Sequence, residues 1–193
     1  MCVQKAQRRL NRLALISVVV TLAVLPRLCH GHPLLASLAV GTRTFEKRLD
    51  LQPDAAIAAR IGAGLNDRMT VYLEYLYSAP SRKTTGSSAS VTAYRLIGRA
   101  TFTSWPLRPY AEMGFGSVLF DFRDTYDTAA GTLMAGVGLG MDISHRSSLF
   151  AEASVDFYRY RAVTYDDRGQ ELSSTARSTD NIGTFLFGMQ VSF

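Results

Sequence analysis

Gly183-Thr184-Phe185-Leu186-Phe187-Gly188-Met189-Gln190-Val191-Ser192-Phe193 alternates with a period of two. Gly183, Phe185, Phe187, Met189, Val191 and Phe193 share one face, and Thr184, Leu186, Gly188, Gln190 and Ser192 share the other. Successive side chains of a strand point to opposite sides, so this stretch is a strand with one strongly apolar face. The same texture recurs upstream. In 132–143, Leu133, Ala135, Val137, Leu139, Met141 and Ile143 oppose Thr132, Met134, three glycines and Asp142. In 69–78, Met69, Val71, Leu73, Tyr75 and Tyr77 oppose Thr70, Tyr72, Glu74 and Leu76.

Eight such segments are expected, at 37–46, 55–65, 69–78, 90–102, 109–122, 132–143, 148–160 and 182–193. They exceed the soluble-strand norm of about 5–6 residues. They match the roughly 9–11 residues that a tilted strand needs to cross a bilayer. Their joins alternate. Asn66-Asp67, Thr103–Arg108 and Ser144–Ser147 are short, whereas Lys47–Asp54, Ala79–Ala89, Arg123–Gly131 and Ala162–Asn181 are longer and polar. An antiparallel meander puts short turns at one end and long loops at the other, the asymmetry of outer-membrane barrels. The expected fold is therefore all-β, an eight-stranded antiparallel up-and-down transmembrane β-barrel.

Alternation alone leaves the facing open, since a soluble carrier barrel would turn the apolar face inward. Glycines on the polar faces (Gly62, Gly64, Gly114, Gly116, Gly136, Gly138, Gly140) suit the cramped interior of eight strands. Aromatics near strand ends suit membrane interfaces: Tyr75, Tyr77, Phe102, Trp105, Phe120, Tyr158 and Phe193. The polar face then becomes a lumen holding Arg43, Arg60, Arg95 and Arg99 against Glu74, Glu112, Asp142, Glu152 and Asp156. Buried charges need partners, so an interior ion-pair network is expected, with a narrow ion path as the alternative.

The chain has 193 residues, 47% hydrophobic and 19% charged, too apolar for a disordered segment. Residues 1–31 read as a secretory signal peptide, with Lys5, Arg8, Arg9 and Arg12 preceding the apolar run Leu13 to Leu25. That run is shorter than the roughly 20 residues of a spanning helix. Both cysteines, Cys2 and Cys29, lie in this leader, so 32–193 offers no disulfide, thiolate metal site or thiol nucleophile. Five of the 21 basic residues also lie in it, leaving 32–193 with equal numbers of bases and acids. The +5 formal charge is thus no sign of nucleic-acid binding.

Over about 36–193 the sequence resembles the OmpA-type eight-stranded outer-membrane barrels. The resemblance rests on the meander and on Arg108-Pro109-Tyr110-Ala111-Glu112-Met113-Gly114-Phe115-Gly116. It rests also on Ala135-Gly136-Val137-Gly138-Leu139-Gly140, the hairpin text Asp142–Glu152 and terminal Phe193. It implies that Phe187, Met189, Val191 and Phe193 form the signal read by the barrel-assembly machinery. It also implies a monomer set in outer-membrane lipid and lipopolysaccharide. The expectation is a barrel without the peptidoglycan-binding domain of full-length members.

Lipid A palmitoyltransferases and deacylases are similar in strand count only. Their chemistry needs a histidine base beside a serine near the outer leaflet. Here His30 falls in the leader, His32 at the expected mature terminus and His145 in the short turn Ser144–Ser147. No catalytic constellation is therefore expected. The Asp124/Asp127 and Asp166/Asp167 pairs read as solvated loop charges. Arg159 and Arg161 lie where lipid phosphates would be in reach. EF-hand spacing, a Gly-rich phosphate loop and HExxH are absent from the sequence, so neither cofactor nor metal is expected.

Overall fold

The computed structural model describes residues 33–103, 106–122, 128–160, 163–165, 171–174 and 178–193. The strands are β1 (Leu34–Phe45), β2 (Asp54–Gly64), β3 (Met69–Ser78), β4 (Ala89–Thr101) and β5 (Leu107–Phe122). They continue with β6 (Thr128–Ser144), β7 (Ser147–Tyr160), β8 (Val163–Tyr165), β9 (Glu171–Ser174) and β10 (Ser178–Ser192). Eight of them close a barrel in the order β1-β10-β7-β6-β5-β4-β3-β2, while β8 and β9 pair as a separate ribbon. Each barrel contact is antiparallel.

The register fixes the shear. Directly paired residues run Asp54, Arg43, Thr184, Ser154, Gly136, Glu112, Arg99, Thr70 and then Gly64, ten residues further along β2 than the start. A shear larger than the strand number tilts the strands to the upper part of the ~35–45° range of closed barrels. Polar side chains close the short turns. Asn66 Oδ1 accepts from the backbone N–H of Arg68 at 2.9 Å and of Met69 at 2.8 Å. Ser144 Oγ accepts from those of Arg146 and Ser147 at 3.2 and 3.1 Å. Thr103 Oγ1 donates to the Leu107 carbonyl at 2.8 Å. Asn, Ser and Thr side chains that mimic backbone partners hold such turns without regular pairing.

β6 begins at Thr128 and β10 at Ser178, four residues before the apolar alternation that marks them in the sequence. The hydrogen-bond ladder continues past the apolar band, with Phe120 opposite Thr128 and Tyr160 opposite Ser178. The β8–β9 ribbon lies inside the stretch expected as plain loop.

Burial is inverted relative to a soluble protein. Leu38, Met113, Leu133 and Val137 are 60% exposed or more, whereas Arg43, Arg60, Glu74, Arg95, Glu112, Glu152 and Asp156 are buried. The outward side chains form an apolar belt from the turn end to Tyr75, Tyr77 and Tyr94 near the loop end. Two of the aromatics expected at the membrane interface lie inside the barrel instead. Phe120 and Tyr158 face the lumen, 2% and 1% exposed, with their rings 5.4 Å apart. Each shares parity with inward acids of its own strand, Glu112 on β5 and Glu152 on β7, and strand parity overrides position along the axis. Tyr75, Tyr77, Phe102 and Phe193 are exposed. Trp105 lies outside the described residues.

Placing a cation on the middle of this belt should be costly. Val137→Arg is expected to lower unfolding free energy in phosphatidylcholine vesicles by about 2–4 kcal/mol. Urea titration followed by gel mobility measures it; an unchanged midpoint would mean that this face does not meet lipid.

Candidate functional site

The lumen carries the chemistry. Four buried arginines, Arg43, Arg60, Arg95 and Arg99, meet four buried carboxylates, Glu74, Glu112, Glu152 and Asp156. They form a chain of alternating sign. Asp156 lies 3.8 Å from Arg43 and accepts from Arg95 Nη1 at 2.7 and 2.8 Å. Arg95 Nε donates to Glu74 Oε1 at 2.6 Å, and Arg60 Nε donates to Glu74 Oε2 at 2.5 Å. Arg60 also forks onto Glu152, with Nη1 at 2.7 Å from Oε2 and Nη2 on Oε1. Glu112 lies 3.5 Å from Arg60 and accepts from Arg99 Nε at 2.7 Å.

Arg60 is the junction, with contacts to carboxylates on β3, β5 and β7 from its own place on β2. Guanidinium suits this position because its planar fork serves several carboxylates at once and stays charged. Neutral groups complete the shell. Tyr110 Oη donates to Glu152 at 3.1 Å, Tyr72 Oη donates to Gln190 Oε1 at 2.8 Å, and Arg99 Nη1 reaches the same oxygen at 3.3 Å. The Arg99 guanidinium stands 4.0 Å from the Tyr110 ring centroid and 4.8 Å from that of Tyr72. Cation–π attraction is strengthened by such desolvation.

Two glycines admit these rings. A Cβ at Gly138 would lie 2.2 Å from Tyr110 Cζ, and one at Gly62 would lie 2.5 Å from Tyr72 Cδ1, both too close to fit. Small residues thus let aromatic bodies lie flat against the barrel wall.

Above the ion pairs, toward the loop end, the interior turns apolar. Phe45, Leu51, Val91, Val118, Phe120 and Ile182 belong to one buried cluster. Leu51 comes from the loop between β1 and β2 and is fully buried. A bridge between Leu51 and Arg82 ties that loop to the one after β3, and Arg82 lies over the Phe122 ring at 5.8 Å. Alternation in the strands does not mark Leu51, which lies outside every strand. Phe120 and Tyr158, taken by their position as interface residues, help form this stopper instead.

One sequence candidate stands apart from the network. Asp142 pairs with Arg108 near the short-turn end, with side chains 30% and 31% exposed. It lies two residues before the end of β6. Phe187 and Met189 point outward and are half-exposed, Val191 is intermediate, and Phe193 is exposed. Ser144 and Ser147 hydroxyls lie 2.5 Å apart and serve the turn, with His145 exposed between them. Among the described residues no three His, Cys, Asp or Glu side chains gather as a metal set. The leader, Arg161 and the pairs Asp124/Asp127 and Asp166/Asp167 lie outside the described residues, and Arg159 is described in backbone only.

No family model and no curated protein matches the sequence. The fold does match solved structures. Neisserial surface protein A is 15% identical, with 84% of this chain and 97% of that chain covered at a TM-score of 0.58. The outer membrane protein OprG from Pseudomonas aeruginosa is 10% identical, with 84% of this chain and 96% of that chain covered at a TM-score of 0.57. The chain thus has the fold of a small outer-membrane β-barrel.

Removing the junction should be far more damaging than removing the rim pair. Arg60→Met leaves carboxylates buried without their cation and is expected to cost about 3–5 kcal/mol. Arg108→Met, at the half-exposed pair, is expected to cost less than about 1 kcal/mol. Paired urea titrations in lipid vesicles measure both; equal losses would contradict the network's central role.

Proposed function

We propose that the protein is an integral outer-membrane β-barrel, exported by cleavage of the leader 1–31, with a structural or surface-interaction role. The observation that carries this reading is the inverted burial, with charges paired inside and large apolar side chains outside. A closed ring of paired strands leaves no backbone donor or acceptor facing hydrocarbon. The end that carries the turns at 65–68 and 145–146 then faces the periplasm, and the end that carries the connections at 46–53 and 79–88 faces outward. Phe187, Met189, Val191 and Phe193 serve as the signal for the barrel-assembly machinery. The barrel acts as a monomer, and its outward loops meet lipopolysaccharide or surface partners.

Closure supports the structural reading over a pore. Two barriers of different kind lie in series along the axis, the ion-pair chain and the apolar stopper around Leu51. Ions would have to break paired charges at one and dehydrate at the other.

Planar-bilayer recording tests closure. The inserted protein is expected to be silent, and Arg95→Ala alone should stay silent because the stopper remains. Discrete steps from the unaltered protein would restore the narrow-pore reading. Lipid A from cells with and without the protein should have the same mass; a mass change would instead make the barrel an enzyme.

A further inference from the structure

We infer that a file of internal water molecules lines one side of the lumen, running from Arg43 past Thr184 and Ser154 to Glu112.

These four side chains belong to one register row across β1, β10, β7, β6 and β5. Arg43 stands directly opposite Thr184, Thr184 opposite Ser154, Ser154 opposite Gly136, and Gly136 opposite Glu112. All four side chains are buried in the lumen. Each carries a polar atom that meets no hydrogen-bond partner among the described residues: Arg43 Nε and Nη2, Thr184 Oγ1, Ser154 Oγ and Glu112 Oε2. Buried polar groups that the protein leaves unsatisfied are the places where internal water binds. The row is also spare in volume, since glycine, serine and threonine occupy three consecutive strands between the arginine and the glutamate. Gly136 puts no side chain between Ser154 and Glu112.

Arg43 differs in this from the other lumen arginines. Arg60 Nε and Arg95 Nε donate to Glu74 at 2.5 and 2.6 Å, and Arg99 Nε donates to Glu112 at 2.7 Å. Arg43 Nη1 reaches the Val91 carbonyl at 3.3 Å, but its Nη2 is 3.8 Å from Asp156, too far for a hydrogen bond. Asp156 is already committed, with both oxygens held by Arg95 Nη1 at 2.7 and 2.8 Å. Arg43 therefore keeps donors that no carboxylate takes up.

The order of donors and acceptors selects the ligand. A guanidinium only donates, an ionised carboxylate only accepts, and a hydroxyl does both. The row thus opens on the donors of Arg43, passes two hydroxyls and closes on the acceptor of Glu112. Its occupant must accept at one end and donate at the other, as water does. A halide could only accept, and it would add charge beside Asp156 to a network of four guanidinium and four carboxylate groups. Directly opposed residues of a sheet have Cβ atoms about 4.5–5.5 Å apart. One water spans such a gap with two hydrogen bonds of about 2.8 Å each. The file ends against the apolar stopper, because Phe45 follows Arg43 on the same face of β1 and belongs to that buried cluster. It hydrates the charged wall without giving ions a way through.

The test refolds the full chain, with isotope-labelled arginine, into deuterated detergent micelles and confirms folding by the heat-dependent gel shift. Dipolar transfer from water to each arginine Nε–H is then read by nuclear magnetic resonance, with chemical exchange separated by its sign in the rotating frame. Arg43→Lys identifies the Arg43 resonance. Strong transfer is expected at Arg43 Nε–H and several-fold weaker transfer at Arg60, Arg95 and Arg99. Thr184→Val should cut the Arg43 transfer several-fold, whereas Thr184→Ser, which keeps the hydroxyl, should retain it. Should Thr184→Val fail to fold, the unaltered protein and Thr184→Ser still decide. No transfer to Arg43 in the folded protein, equal transfer to all four arginines, or a folded Thr184→Val variant with undiminished transfer would overturn the proposal. An Arg43 resonance that moves when chloride is replaced by bromide would assign the site to an anion and overturn the choice of water.

Discussion

Arg60 and the three carboxylates that converge on it, Glu74, Glu112 and Glu152, set the terms for the rest of the molecule. A closed ring of eight strands has an interior that side chains must fill, and here that interior is charged. A lone charge in such a place would cost several kcal/mol. The central network answers with four guanidinium and four carboxylate groups on a path of alternating sign from Arg43 to Arg99. Because the partners of Arg60 lie on three other strands, the network also clamps the ring across its width. Strand pairing holds neighbours together, and the ion pairs hold opposite walls together.

Space and charge are linked. The rings that cover Arg99 fit because Gly62 and Gly138 lack side chains beneath them. Above the charges the interior becomes aliphatic and aromatic, and a loop residue, Leu51, completes the seal. That stopper closes the lumen and ties the loop after β1 to the loop after β3.

Much of this was legible in the sequence because strands obey parity. The face of every lumen charge in the central network follows from counting by two from its apolar neighbours, and the hairpin order follows from connection lengths. Position along the axis was less legible. Phe120 and Tyr158 looked like interface residues by their nearness to the loops, yet parity turned them inward. Asp142 had the right face but the wrong height. Which charges pair was not legible at all, since Arg60 reaches residues 14, 52 and 92 positions away and only closure of the ring makes them neighbours. Leu51 escaped notice because two leucines, Leu49 and Leu51, in a short polar loop are too few to make a pattern.

The most direct test of the central claim, charge within and lipid without, is gel mobility of the protein taken from the outer-membrane fraction, with and without boiling in SDS. The account predicts that the unboiled barrel resists the detergent and migrates apart from the boiled chain. A soluble protein whose mobility is the same before and after boiling would contradict it, and would require the charged face to be the surface and the apolar face the core.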